Sequence, residues 1–281
     1  MKNILVLTDF SDNAKAAAKY ALKLAVEINA NVILYNTFSV PAEIPAAGNI
    51  VWPLYNHQSL ELESVTNLKT QVNELKNELL EKSDIDLSYL LDAGTVTHKL
   101  KDIIDENKIW LVVMGTKGEG AINNLLLGSN VFKVLDNINC PVLIISKNAE
   151  FSKFRELAYA TDLRSSDVNI ISWLNQFSEI LKVNLSIIHV SNDTITPEEA
   201  TSKKITEEIV NRTTNSHIYI KYRQGNNIEQ SLREIMEEND VGMLGMLYRK
   251  HGFFESLFHE SQTYKMIKHT KIPILVFPDV L

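Results

Sequence analysis

Cysteine is almost missing from this chain: Cys140 is the only one in 281 residues. That excludes an intrachain disulfide and fits a reducing, cytoplasmic setting. Cys140 precedes Pro141 and the apolar run Val142-Leu-Ile-Ile145, the place of a buried small residue at a strand start. Long apolar runs are missing too. None approaches the ~20 residues of a membrane span, and Met1-Lys2-Asn3 leads into a strand rather than a secretory leader. Basic residues are in deficit, 28 Lys and Arg against 35 Asp and Glu for a net charge of −7, which speaks against nucleic acid as a partner.

The usual catalytic signatures are also absent. No Gly-Lys-Ser/Thr sequence occurs, so there is no P-loop lysine for phosphoryl transfer. There is no Ser-Gly-Gly-x-Asp-Ser stretch of an ATP pyrophosphatase and no Gly-x-Ser-x-Gly elbow. Gly115 to Gly120 does not follow the Gly-x-Gly-x-x-Gly dinucleotide pattern. The seven histidines are scattered, and His251 and His259 miss the i, i+4 spacing that sets two ligands on one helical face. No catalytic residue and no protein metal site is expected from this inventory.

What is present is a 45% apolar composition arranged as strands alternating with helices. Ile4–Leu7 reads as a buried strand, followed by capping oxygens at Asp9, Ser11 and Asp12. Ala14–Ile28 has a helical period, and Val32–Tyr35 is the next strand. Pro41, Pro45, Gly48 and Pro53 make residues 40–58 a loop. Ser59–Lys82 is a helix with Leu60, Leu62, Val65, Leu68, Val72, Leu75 and Leu79 as its apolar side. Leu87–Leu91 is a strand, Val96–Asn107 a helix, Ile109–Met114 a strand, Asn130–Asn137 a helix and Pro141–Ile145 a closing strand. The alternation predicts an α/β fold, a parallel sheet covered on both faces.

The pattern then restarts. Leu157-Ala-Tyr-Ala160 before Thr161-Asp162 repeats Ile4–Leu7 before Thr8-Asp9, at an offset of 153 that still holds for Leu185–His189 against Val32–Asn36. From Glu234 to Pro273 the offset is 132, so the second copy is shorter by 21 residues. A repeat unit of this size implies duplication into two domains, 1–147 and 153–281, joined by a polar stretch.

The feature closest to chemistry is Gly115-Thr-Lys-Gly118, nine residues, then Gly128-Ser129. It follows a buried strand and opens a helix. Glycine lets the backbone turn and approach a ligand closely, and such turns offer free N–H groups to an anion. In a doubly wound sheet, ligands sit beyond the carboxyl ends of the strands. Asp9, Asn36, Thr37, Met114 and Gly115 all fall at that edge. Asp9 suits a ribose or base, Thr37 and Met114 suit the flanks of an adenine, and Gly118, Gly128, Ser129 and Asn130 suit phosphates.

These residues and their spacing resemble the universal stress protein family in its tandem form, over almost the whole chain as two copies. Gly115, Gly118, Gly128 and Ser129 match the ATP-binding pattern of that family. Leu7-Thr8-Asp9-Phe10-Ser11 is similar to its Pro-Thr-Asp-Phe-Ser start, with Leu7 in place of proline. The resemblance implies two tandem doubly wound domains, each a five-stranded parallel sheet of order 3-2-1-4-5. It implies ATP, with Mg²⁺ or replaced by AMP or another adenine nucleotide, held by Asp9, Thr37, Met114, Gly115, Gly118, Gly128, Ser129 and the Asn130 backbone. It also implies that Val142–Ile145 and Ile274–Phe277, the fifth strands, meet as an intrachain pseudo-dimer.

The second copy departs from the motif. Gly115, Gly118 and Gly128 become Leu247, Lys250 and Glu260, and only Ser261 persists. A carboxylate placed against a triphosphate repels it, so the second domain is expected not to bind ATP in the same mode. The expected role is sensing or regulation in a stress response. Two rivals remain at this point: a slow Mg-dependent ATPase, and a nucleotide-free interaction protein whose glycines serve only turns.

Overall fold

The structure is a computed structural model, and it describes residues 1–39, 57–78, 84–116, 129–164, 167–191, 217–248 and 272–278. In the front half the order is β1 (Lys2–Leu7), α1 (Asp12–Ile28), β2 (Ala30–Phe38), α2 (His57–Glu78), β3 (Leu87–Ala93), α3 (Val96–Glu106), β4 (Ile109–Gly115), α4 (Ser129–Asn137) and β5 (Val142–Ile145). The back half follows with β6 (Glu156–Ala160), α5 (Asp167–Leu181), β7 (Asn184–Ser191), β8 (Ile218–Gln224), α6 (Ile228–Glu238), β9 (Val241–Tyr248) and β10 (Ile274–Pro278).

Local chemistry accounts for the elements. The strands β1, β4, β5 and β10 are runs of β-branched and aliphatic residues buried on both faces, as parallel strands under two helical layers require. In α1, Ser11 is the N-cap, its side chain accepting from the Ala14 N–H, and Asn29 closes the helix in the left-handed region at φ 52°. Between the caps, nine residues including five alanines are buried.

All ten strands form one sheet, in the order β3-β2-β1-β4-β5-β10-β9-β6-β7-β8. Each half has the predicted 3-2-1-4-5 order, parallel throughout. The fifth strands meet antiparallel, with Ile144 opposite Ile274, Leu143 opposite Leu275 and Val142 opposite Val276. The 153 and 132 offsets survive in the register, since Ile4 pairs with Val32 as Leu157 pairs with Leu185, and Val142 with Val112 as Ile274 with Leu244. Even an irregularity is repeated. The register of β1 on β4 slips at Trp110, and that of β6 on β9 slips at Gly242.

Helices α1, α2 and α5 cover one face of the sheet and α3, α4 and α6 the other. Both apolar clusters draw residues from both halves, so the core is continuous across the β5–β10 seam.

Two readings need correction. The strand predicted as Val32–Tyr35 runs to Phe38, because β3 continues alongside it as far as Ala93. In α2 the buried line is Ser64, Leu68, Gln71, Val72 and Leu75, while Leu62 is 67% exposed. At 100° per residue Leu62 lies about 120° round from Leu68, so it falls off the face that meets β2 and β3. The polar Gln71 takes a core place instead, for a reason that belongs to the site.

Candidate nucleotide site

In the front half the chain steps from β1 outward through β2 and β3, then returns to the other side with β4 and β5. The switch point therefore lies between β1 and β4, the usual crevice of a doubly wound sheet. The carboxyl ends of β1, β2 and β4 open there together.

Beyond β1, Thr8 N–H donates to the Tyr35 carbonyl at 2.9 Å and extends the ladder by one step. The Thr8 hydroxyl accepts from the Phe10 N–H at 3.1 Å and donates to Gln71 Oε1 at 3.0 Å. This pins a tight turn in which Phe10 takes a positive φ of 64°. That buried hydroxyl is why a glutamine occupies a core position of α2. Asp9 Oδ1 accepts from the Ser11 N–H at 3.1 Å and the Ser11 hydroxyl at 2.6 Å. Asp9 is thus not the helix cap. Ser11 caps α1, and Asp9 orients Ser11.

The other predicted residues fall as follows. Thr37 lies near the end of β2, half-buried, opposite Asp92 of β3. Met114 is buried in the core cluster under α3 and α4, opposite Ile144. Gly115 ends β4 opposite Ile145, and a Cβ there would lie 2.8 Å from the Asn13 carbonyl oxygen. Glycine at 115 therefore lets the first turn of α1 close on β4, so the end of β4 and the Asp9 loop abut. Ser129 and Asn130 open α4. That helix runs back from the carboxyl edge toward the start of β5, so its N-terminal end faces the same edge as Asp9. Gly118 and Gly128, with Lys117 between the first two glycines and residues 40–56 of the predicted loop, lie outside the described residues.

The back half repeats the frame with different chemistry. Thr161 N–H donates to the Ile188 carbonyl, Leu163 N–H to the Thr161 hydroxyl, and Leu163 has a φ of 55°. The fully buried Asp167 carboxylate takes the role of Gln71, accepting from the Thr161 and Tyr159 hydroxyls and the Arg164 N–H. Asp162, the counterpart of Asp9, faces the Arg164 guanidinium at 2.6 Å. Leu247 stands in the register position of Gly115 and packs its side chain against the core. Lys250, Glu260 and Ser261 lie outside the described residues.

Sequence reasoning missed the Thr8–Gln71 and Thr161–Asp167 supports. A glutamine on the apolar side of α2 was the available signal. A cavity of about 230 Å³ lies at the opposite edge, lined by Lys101, Trp110, Cys140 and Trp173 among others. Among the described residues no group of His, Cys, Asp or Glu is placed to hold a metal, and no helix is long and apolar enough to cross a membrane.

Comparison with known proteins agrees with this frame. The model of the Universal stress protein family matches residues 1–146. The chain is 30% identical over 148 residues to universal stress protein MJ0531 of Methanocaldococcus jannaschii, covering 52% of this chain and 82% of that one. It is 23% identical over 291 residues to universal stress protein Slr1230 of Synechocystis, covering 99% and 100%. The crystal structure of a universal stress protein from Archaeoglobus fulgidus shares the fold, with a TM-score of 0.69 at 16% identity over 98% of this chain and 95% of that one. On the match to more than half its length and the relatives it resembles, the chain belongs to the universal stress protein family.

Proposed function

We propose that the front domain, residues 1–147, binds ATP, alone or with Mg²⁺, and that the back domain, residues 153–281, does not bind it in the same mode. AMP or another adenine nucleotide fits the same chemistry. The observation that carries this reading is the convergence of Asp9, Thr37, Met114, Gly115 and the first residues of α4 at one sheet edge. The Gly115–Gly118–Gly128–Ser129 spacing in the sequence supports the same reading. Asp9 would meet the ribose or base, Thr37 and Met114 the adenine, and the N–H groups of Gly118, Gly128, Ser129 and Asn130 the phosphates. Leu247 in place of Gly115, and Arg164 on Asp162, support loss of the mode in the back half.

The role is sensing or regulation in a cytoplasmic stress response. Phosphates held by N–H groups explain binding, and among the described residues no side chain is set up as a base for water. Hydrolysis is at most slow, with Mg²⁺ helped by Asp9 or by waters beside Ser129. One observation favours the rival reading of a nucleotide-free interaction protein: contact with Asn13 alone already demands glycine at 115.

A melting scan with and without Mg-ATP separates the two. At a hundredfold excess over its Kd, ATP should add about 2.7 kcal/mol of stability. Gly128→Glu, the residue the back half carries, should remove that gain with little change in the melting point of the unliganded protein. No ATP-dependent shift in the native chain would leave the rival. Mass spectrometry of nucleotide released from the purified protein identifies the base.

A further inference from the structure

We infer that Asn36 is a positioning residue for the nucleotide site, holding the Asp9 turn in its binding geometry without touching the ligand. The inference rests on the nucleotide reading above. Asn36 lies on β2 with only 7% of its surface exposed. Its Nδ2 donates to the Thr8 carbonyl at 2.7 Å, which is shorter than any other polar contact Thr8 makes.

The direction of that amide is fixed. Turned over, it would set Oδ1 against the Thr8 carbonyl, two acceptors facing each other. As it stands, Oδ1 is buried with no donor, a cost accepted while Nδ2 is committed to Thr8. The Thr8 carbonyl belongs to the peptide that carries the N–H of Asp9. Thr8 is held at three points: its N–H by Tyr35, its carbonyl by Asn36 and its hydroxyl by Gln71 and Phe10. Remove Asn36 and the Thr8–Asp9 peptide is free to rotate, while the left-handed Phe10 loses part of what holds it.

The back half supplies an independent witness. At the equivalent place of β7 stands His189, and its Nδ1 lies 2.9 Å from the Thr161 carbonyl. A carbonyl only accepts, so Nδ1 carries the proton. A different side chain makes the same bond to the same backbone atom, over the same left-handed turn at Leu163. What the two positions share is a donor aimed at one carbonyl. The requirement is therefore the bond rather than the shape of the residue.

The test uses the full chain with three substitutions. Asn36→Leu removes the donor, Asn36→Asp keeps the shape but presents an acceptor, and Asn36→His installs the donor of the back half. Mg-ATP affinity is measured by titration calorimetry. Amide exchange at Phe10 and Ser11 is measured without nucleotide. The expected result is binding about tenfold weaker, and faster exchange, in the leucine and aspartate variants. The histidine variant should restore both. Should the leucine variant fail to fold, the near-isosteric aspartate variant carries the same comparison. Unchanged affinity in the aspartate variant, or no recovery in a folded histidine variant, overturns the inference. If the native chain binds no ATP, the nucleotide reading fails by itself. Amide exchange then decides alone, and an unchanged rate in the aspartate variant overturns the positioning role.

Discussion

At the scale of single residues, two glycines of one sequence signal are expected to have separable duties. Gly115 is demanded by its own neighbour, because a Cβ would press on the Asn13 backbone rather than on a flexible side chain. Gly115→Ala should therefore cost about 1–3 kcal/mol through displacement of α1, read as a lower melting point without nucleotide. Gly128→Glu should do the reverse, sparing the melting point and abolishing its response to ATP. Cys140 makes a different test of the residue scale. Burial pushes its thiol up from 9.0 to about 12, and its Sγ lies 3.6 Å from the Ile109 carbonyl. The raised value means the folded protein holds the proton that the unfolded chain releases. This contribution to stability is complete below pH 9 and fades between 9 and 12. Iodoacetamide at pH 9 should label the native chain far more slowly than the urea-unfolded one. Equal rates would place the thiol in solvent. That Cys140 is buried was legible from its apolar, pre-proline setting. That Asp9 serves Ser11 was not, because several cap-forming oxygens stand in a row and only geometry selects one.

The elements show why the fold could be read and the supports could not. Strands of parallel sheets announce themselves as apolar runs, and the repeat at fixed offsets doubled that signal for β1, β2 and β4, whereas β8 lies where the offset changes and was not read. Boundaries were weaker where partners set them: β2 extends to Phe38 only because β3 lies beside it. In α2 the mean pattern favoured Leu62 for burial, whereas the helix turns Gln71 inward to meet Thr8. Periodicity sets Gln71 on the buried side of α2 with Leu68 and Leu75, but it does not name the partner, which stands 63 positions away. The same reasoning yields an expectation for α1. Ser11 accepts from Ala14 N–H at 3.3 Å and donates to Asp9 at 2.6 Å. Ser11→Ala should cost about 1 kcal/mol of stability through the lost cap. It should also weaken ATP binding by releasing Asp9, whereas an N-cap substitution of α6, Asn227→Ala, should cost stability alone. Equal ATP affinity in both variants would separate Asp9 from the ligand.

At the scale of the whole molecule, the two halves do not behave as beads on a string. Leu143 and Leu275 pair across the seam and are fully buried, and each half contributes to both core clusters. Aromatic side chains reinforce the join: Trp110 of β4 stacks on Trp173 of α5 at 4.4 Å between ring centres, and Trp173 also meets Phe277 of β10. Unfolding the front half would expose one edge of β10 and strip the cover from Trp173, so the full sheet is expected to unfold as one unit. It follows that a ligand bound by the front half must stabilise the back half to the same extent. Native-state hydrogen exchange gives the measurement. The amides of Ala158 on β6 and Ile187 on β7 lie in the buried core of the back half, and their slowest exchange reports global opening. With Mg-ATP at a hundredfold excess over its Kd, those amides should exchange about a hundredfold more slowly, matching Val6 and Val113 of the front half. Leu275→Ala, a loss of about 2–5 kcal/mol at the seam, should speed exchange in both halves together. Protection confined to the front half would mean that the seam joins two independently unfolding domains, and the back half would then have no thermodynamic knowledge of what its twin has bound.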